Sequence, residues 1–126
     1  MGANSIRLDK VGSPRLPLLG PRPPLPVAEY DVRMRRLFER SGADAVVVYG
    51  DREHSANLVY CCGFDPRFEE ALLVVTDNQR SLLVGNEGLA YADLLPVTLD
   101  VIHTPALSLM GQSRASGSTI KELCRR

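Results

Sequence analysis

From Val27 onward, apolar residues recur at steps of three and four: Val27, Tyr30, Met34, Leu37 and Phe38 share one face, which continues to Ser41. That spacing predicts an amphipathic helix. Gly42 follows, and a residue free to take positive φ predicts its stop. The next run, Ala45-Val46-Val47-Val48-Tyr49, is β-branched and lacks polar alternation, which predicts a strand buried on both faces. Gly50 and Asp51 break it. A short helix is expected over 55–62, closed by Gly63 with Pro66 beyond. Two strands over 71–76 and 81–84 flank the polar turn Asp77-Asn78-Gln79-Arg80. A brief helix over 89–95 stops at Pro96. Leu99, Val101 and His103 alternate with Thr98, Asp100 and Ile102, which suits a strand. A loop is expected over 104–117, and Thr119-Ile120-Lys121-Glu122 opens a last helix as a capping box.

The order helix, strand, helix, hairpin, helix, strand, helix predicts an α/β layer structure, a mixed sheet flanked by helices. Residues 1–26 are rich in proline and glycine and are expected to form an extended arm, so the domain proper spans 27–126. No internal repeat is visible. The last helix reaches Arg126 after little more than two turns, whereas domain boundaries favour linkers. The domain is therefore expected to be truncated.

Composition narrows the function classes. The 126 residues fit one domain, and a formal net charge of zero supplies no global field toward nucleic acid or an anionic membrane. The expected partners accordingly include no nucleic acid and no membrane. Cys61 and Cys62 are adjacent and Cys124 is remote, so neither a CxxC pair nor zinc spacing exists. Reduced thiols and a cytoplasmic location are expected. Pro17 interrupts the apolar stretch Leu16 to Leu19, and prolines 14, 21, 23, 24 and 26 flank it, which excludes a signal-peptide core. Ile6 occupies the position where a myristoylation signal needs Ser or Thr.

Candidate chemistry concentrates after the Val-rich strand, in Asp51, Arg52, Glu53, His54 and Asn57, followed by Phe64, Asp65, Arg67, Phe68, Glu69 and Glu70. Loops at strand carboxyl ends are where ligands bind in α/β sheets; a solvated loop with local ion pairs is the competing and simpler account. His54 and His103 are the only histidines and lie far apart in sequence, without the convergent ligands a metal centre needs. Glu69 and Glu70 point to opposite faces if extended. No metal or other cofactor is expected in this chain. Gly111-Gln112-Ser113-Arg114-Ala115 lacks the second glycine of a nucleophile elbow. Gly111 and Gly117-Ser118-Thr119 lack the lysine of a P-loop. Arg33, Arg36 and Arg40 form a helical stripe with Glu29 and Glu39 nearby, which reads as a solvated face.

A resemblance adds to this reading. Tyr30-Asp31-Val32-Arg33 followed by Gly42-Ala43-Asp44-Ala45-Val46-Val47-Val48 resembles the opening helix and strand of the creatinase/prolidase-type N-terminal domain. That domain belongs to the Xaa-Pro aminopeptidase (aminopeptidase P) family of metallopeptidases. The run Arg52-Glu53-His54-Ser55-Ala56-Asn57-Leu58-Val59-Tyr60, then Gly63-Phe64, continues the likeness. So do Asp65-Pro66-Arg67-Phe68-Glu69-Glu70-Ala71-Leu72-Leu73-Val74 and Leu83-Val84-Gly85-Asn86-Glu87. The resemblance covers about residues 25–110, and the motifs keep their order.

It implies a non-catalytic domain that serves dimerisation and walls the entrance of an active site. In the family, two divalent metal ions sit in a separate catalytic domain, held by two Asp, one His and two Glu that have no counterpart in this chain. By the same analogy Arg52, His54, Asn57, Phe64, Arg67 and Phe68 are candidates for a loop facing substrate or partner. The expected partners are a second copy or the catalytic domain of a parent protein. Cys61-Cys62 departs from the family, which has an apolar residue and then Ser or Thr there; one thiol is expected in the core and the other as a small polar substitute. The alternatives are a stand-alone α/β binding or assembly module, and an enzyme using His54 with Glu53 or Cys61.

Overall fold

The computed structural model describes residues 9–13, 20, 23–113 and 120–123. Helix α1 (Val27–Ser41) buries Met34 completely. Tyr30, Leu37 and Phe38 pack beside it, the face read from the spacing. The chain then forms β1 (Val46–Gly50), α2 (Ala56–Cys62), β2 (Ala71–Val75) and β3 (Arg80–Val84). After these come α3 (Asn86–Ala92), β4 (Asp100–His103), a 3-10 turn at Pro105–Leu107 and α4 (Ile120–Leu123). Gly42 and Gly63 end α1 and α2 at φ 63° and 78°, a conformation that a Cβ disfavours.

The sheet runs β1-β2-β3-β4. β1 with β2 and β2 with β3 are antiparallel, and β3 with β4 is parallel. A parallel pair needs a crossover, which α3 provides. The α/β class and the mixed sheet agree with the sequence pattern. One face of the sheet, carrying Val48, Ala71, Leu73, Val75, Leu82, Val84 and Val101, joins Met34 of α1, Leu58, Cys61 and Cys62 of α2 and Ala92 of α3 in a single core. Arg80 on that face also pairs with Asp31 of α1.

Four expectations change. β1 is not buried on both faces: Val47 is 58% and Tyr49 44% exposed. It is an edge strand and all three described core helices lie on one side, so its alternate side chains meet solvent. α3 starts at Asn86 rather than near Leu89. β4 is shorter than expected, and the expected loop after it holds the 3-10 turn. Most of the arm over 1–26, the start of the last helix at Thr119, and Cys124 lie outside the described residues.

The close seating of α2 under β1 depends on Gly50. A Cβ there would lie 2.4 Å from Leu58 Cδ1. The absence of a side chain lets Leu58 reach the sheet and become fully buried.

Candidate functional site

The carboxyl end of β1 gathers a polar cluster. Asp51 Oδ1 accepts the backbone N–H groups of Glu53 at 2.8 Å and His54 at 2.7 Å, folding the loop into an Asx-type turn. His54 Nδ1 lies 2.9 Å from the same oxygen, leaving a ring that is 72% exposed. The Tyr49 hydroxyl lies 3.0 Å from Asp51 Oδ2 and 3.3 Å from Glu70 Oε1, with one proton to donate between them. Desolvation first, then the hydrogen bond to Asp51 and the charges of Glu70 and Asp51, push the Tyr49 hydroxyl up to about 12. At Asp51 desolvation works upward. The backbone N–H groups of His54 and Glu53, with the Tyr49 and His54 side chains, outweigh it and bring the carboxyl down to about 2.

The candidate residues divide between two places. The Arg52 guanidinium lies 6.0 Å from the ring centroid of Phe68, which is 60% exposed, so Arg52 and Phe68 form a loose cation–π pair. Arg52, like His54, is exposed in the Asp51 turn, and Asn57 is exposed in the first turn of α2. Arg67 turns elsewhere. It takes φ 57°, its N–H is accepted by Asp65 Oδ1 at 3.0 Å, and its guanidinium sits 5.3 Å from the Tyr91 ring. Gly63, Phe64, Asp65, Tyr91, Leu94 and Leu95 line with it a pocket of about 160 Å³. Phe64 is a correction: at 3% exposure it belongs to the core and shows only an edge to that pocket. The ring following the α2 stop joins the cluster with Leu58, Cys61 and Cys62 rather than standing free for a partner.

The arginine stripe of α1 is only in part a solvated face. Arg33 lies 4.2 Å from the Tyr60 ring and 5.7 Å from the Tyr30 ring. It donates to Tyr60 O at 2.9 Å and to Glu29 Oε1 at 3.0 Å. It therefore staples α1 to α2. Arg36 and Arg40 stay exposed and line, with Leu37 and Tyr60, an open groove of about 230 Å³.

Tyr49 is not legible as a functional group inside the apolar run, although its parity with Val47 is a signal. Glu69 belongs to the polar set that the sequence offers, but its burial is marked by no local pattern. Both described thiols are buried: desolvation pushes Cys62 up to about 11 and raises Cys61 against the opposing charge of Arg33. A buried neutral thiol is a poor nucleophile. Among the described residues no group of three or more His, Cys, Asp or Glu is placed to hold a metal ion, and no helix is long and apolar enough to cross a membrane. The exposed cluster is thus suited to contact: a fixed imidazole, a guanidinium over a ring, and two carboxylates. Comparisons with protein-family models, with curated proteins and with solved structures each return no match.

Proposed function

We propose that this chain is a catalytically silent accessory domain, the front part of the N-terminal domain of an Xaa-Pro aminopeptidase-like metallohydrolase. In this reading it works in the cytoplasm, supports subunit association, and shapes the entrance of an active site built by another domain. That other domain holds the two divalent metal ions. The observation that carries the reading is the loop surface at the carboxyl end of β1, where Arg52, His54 and Phe68 stand clear of the core. Support also comes from the ordered motifs over about residues 25–110, which fall on consecutive elements from α1 to the 3-10 turn. A pinned imidazole and an arginine beside an exposed ring fit contact with a peptide or a neighbouring subunit.

The purified chain is expected to leave Xaa-Pro peptides intact in the presence of manganese; hydrolysis would overturn the silent role. The reading frame after codon 126 gives a second test. Codons for Asp, Asp, His, Glu and Glu in the family order support the accessory-domain reading. A stop codon at that point favours a stand-alone binding or assembly module. The half-exposed apolar face of the sheet is the observation on the side of that second reading.

A further inference from the structure

The sheet has a face that none of α1, α2 and α3 covers. Strand register places Val47, Tyr49, Leu72, Val74, Leu83 and Ile102 on it, alternating with the residues that enter the core. Leu83 is buried at 5% exposure, with the 3-10 turn Pro105–Leu107 against β3, and Leu72, Val74 and Ile102 are half-buried. An apolar patch bounded by polar groups marks an interaction surface.

The rim identifies the occupant. At one end Asp51 and Glu70 flank the Tyr49 hydroxyl. At the other end Asp100, opposite Ser81, presents its carboxylate to Gln79 Nε2 at 3.1 Å and to Ser81 Oγ at 3.4 Å. Neither Glu70 nor Asp100 forms an ion pair with another described residue. The face is thus apolar in the middle, with one carboxylate at each end, Glu70 and Asp100, that no described cation pairs, whereas Asp51 is already held by His54. Two copies of the chain placed face to face by a two-fold axis would set carboxylates against carboxylates, which repel. The chain's own cationic helix, α1, is not the occupant either, because Met34, Leu37 and Phe38 are already spent in the core.

We propose that this face docks an amphipathic helix of a partner protein, with Lys or Arg on either side of an apolar stripe. Glu70 and Asp100 are separated by four residues along the strands and two strands across, about 16 Å. A helix spans that distance in about 11 residues, or three turns. The inference stands on the open face and its carboxylates alone and does not depend on the peptidase reading.

The test uses two fluorescein-labelled helical peptides of about 14 residues, with leucines at helical spacing and either Lys or Glu at both ends. Each is titrated with the full chain and followed by anisotropy. The Lys-ended peptide is expected to bind at least tenfold tighter than the Glu-ended one, and to weaken as salt rises. The variant Glu70→Lys/Asp100→Lys is expected to invert that preference. Because it must gain affinity for the Glu-ended peptide, loss of fold cannot mimic the result. Binding that ignores the sign of the peptide ends, or no binding of either peptide, overturns the proposal. So does a dimer in sedimentation that Val47→Lys dissolves, since a second copy would then occupy the face.

Discussion

Glu69 caps a helix that begins far from it in sequence: its buried carboxyl, 3% exposed, accepts the N–H of Gly88 at 2.8 Å. Gly88 lies in the first turn of α3, and Gly85 before that helix has no side chain to cap it. Ser108 Oγ accepts the N–H of Asn86 at 2.9 Å. Two of the first-turn donors, which a helix cannot satisfy internally, are therefore met by side chains from other elements. Glu69→Ala should cost about 1–3 kcal/mol by orphaning a buried N–H. Glu69→Gln, which keeps an acceptor, should lose less. Urea unfolding measures both; equal stability of all three proteins would remove the capping role.

Gly85 depends on the same carboxyl. A Cβ at Gly85 would lie 2.6 Å from Glu69 Oε2 and 2.8 Å from Ser108 Cα. The backbone contact cannot swing away, so Gly85→Ala is expected to destabilise by about 1–3 kcal/mol. Combining it with Glu69→Ala relieves only the carboxyl contact, so part of the loss should persist in the double variant. Complete relief would show that Ser108 yields freely.

Packing beneath β1 gives a sharper pair. Leu58→Ala removes a fully buried side chain and is expected to cost about 2–5 kcal/mol. Gly50→Ala drives a methyl toward Leu58 Cδ1, 2.4 Å away, and is expected to cost about 1–3 kcal/mol. In the double variant the truncated Leu58 makes room for the new methyl, so its loss should be smaller than the sum of the two single losses. Strict additivity in denaturant melts would count against the close approach.

The Asp51 turn sets an acid limit. Its folded-state value of about 2 lies below that of an unfolded aspartate, about 3.9. The unfolded chain therefore binds the proton first as pH falls. The stabilisation is complete above about pH 4 and is lost as pH drops toward 2. Asp51→Asn should flatten the stability profile in that window. Parallel circular-dichroism acid titrations check this; identical slopes between pH 4 and 2 would assign the acid limb to other carboxyls.

Cys61 and Cys62 should resist alkylation. Both are buried with raised thiol values, Cys62 at about 11, so little thiolate exists near neutral pH. Iodoacetamide at pH 8 followed by peptide mass spectrometry should leave both unmodified in the folded chain and label both in denaturant. Rapid labelling without denaturant would show that the α2 face opens readily.

Much of the fold was legible because its signals are local. The step of three and four along Tyr30, Met34, Leu37 and Phe38, with Gly42 after it, defines α1 almost to the residue. The turn from Asp77 to Gln79 sets the hairpin of β2 and β3. The start of α3 at Asn86 is not legible in the local sequence because its caps, Glu69 and Ser108, come from distant segments. Of the candidate residues, Arg52, His54, Asn57, Arg67 and Phe68 are exposed, and Phe64 is not. Burial of a ring depends on what packs around it, which a loop sequence does not encode.

By itself the sequence determined the α/β class, the order of elements and the position of the polar loop, because periodicity and turn chemistry act over a few residues. Only the tertiary structure decided that Val47 and Tyr49 face outward, that Arg33 joins two helices, and that carboxylates frame an open apolar face. Each of these depends on which strand lies at the edge and which side the helices take. Those are contacts between residues distant in the chain, and local pattern carries no record of them.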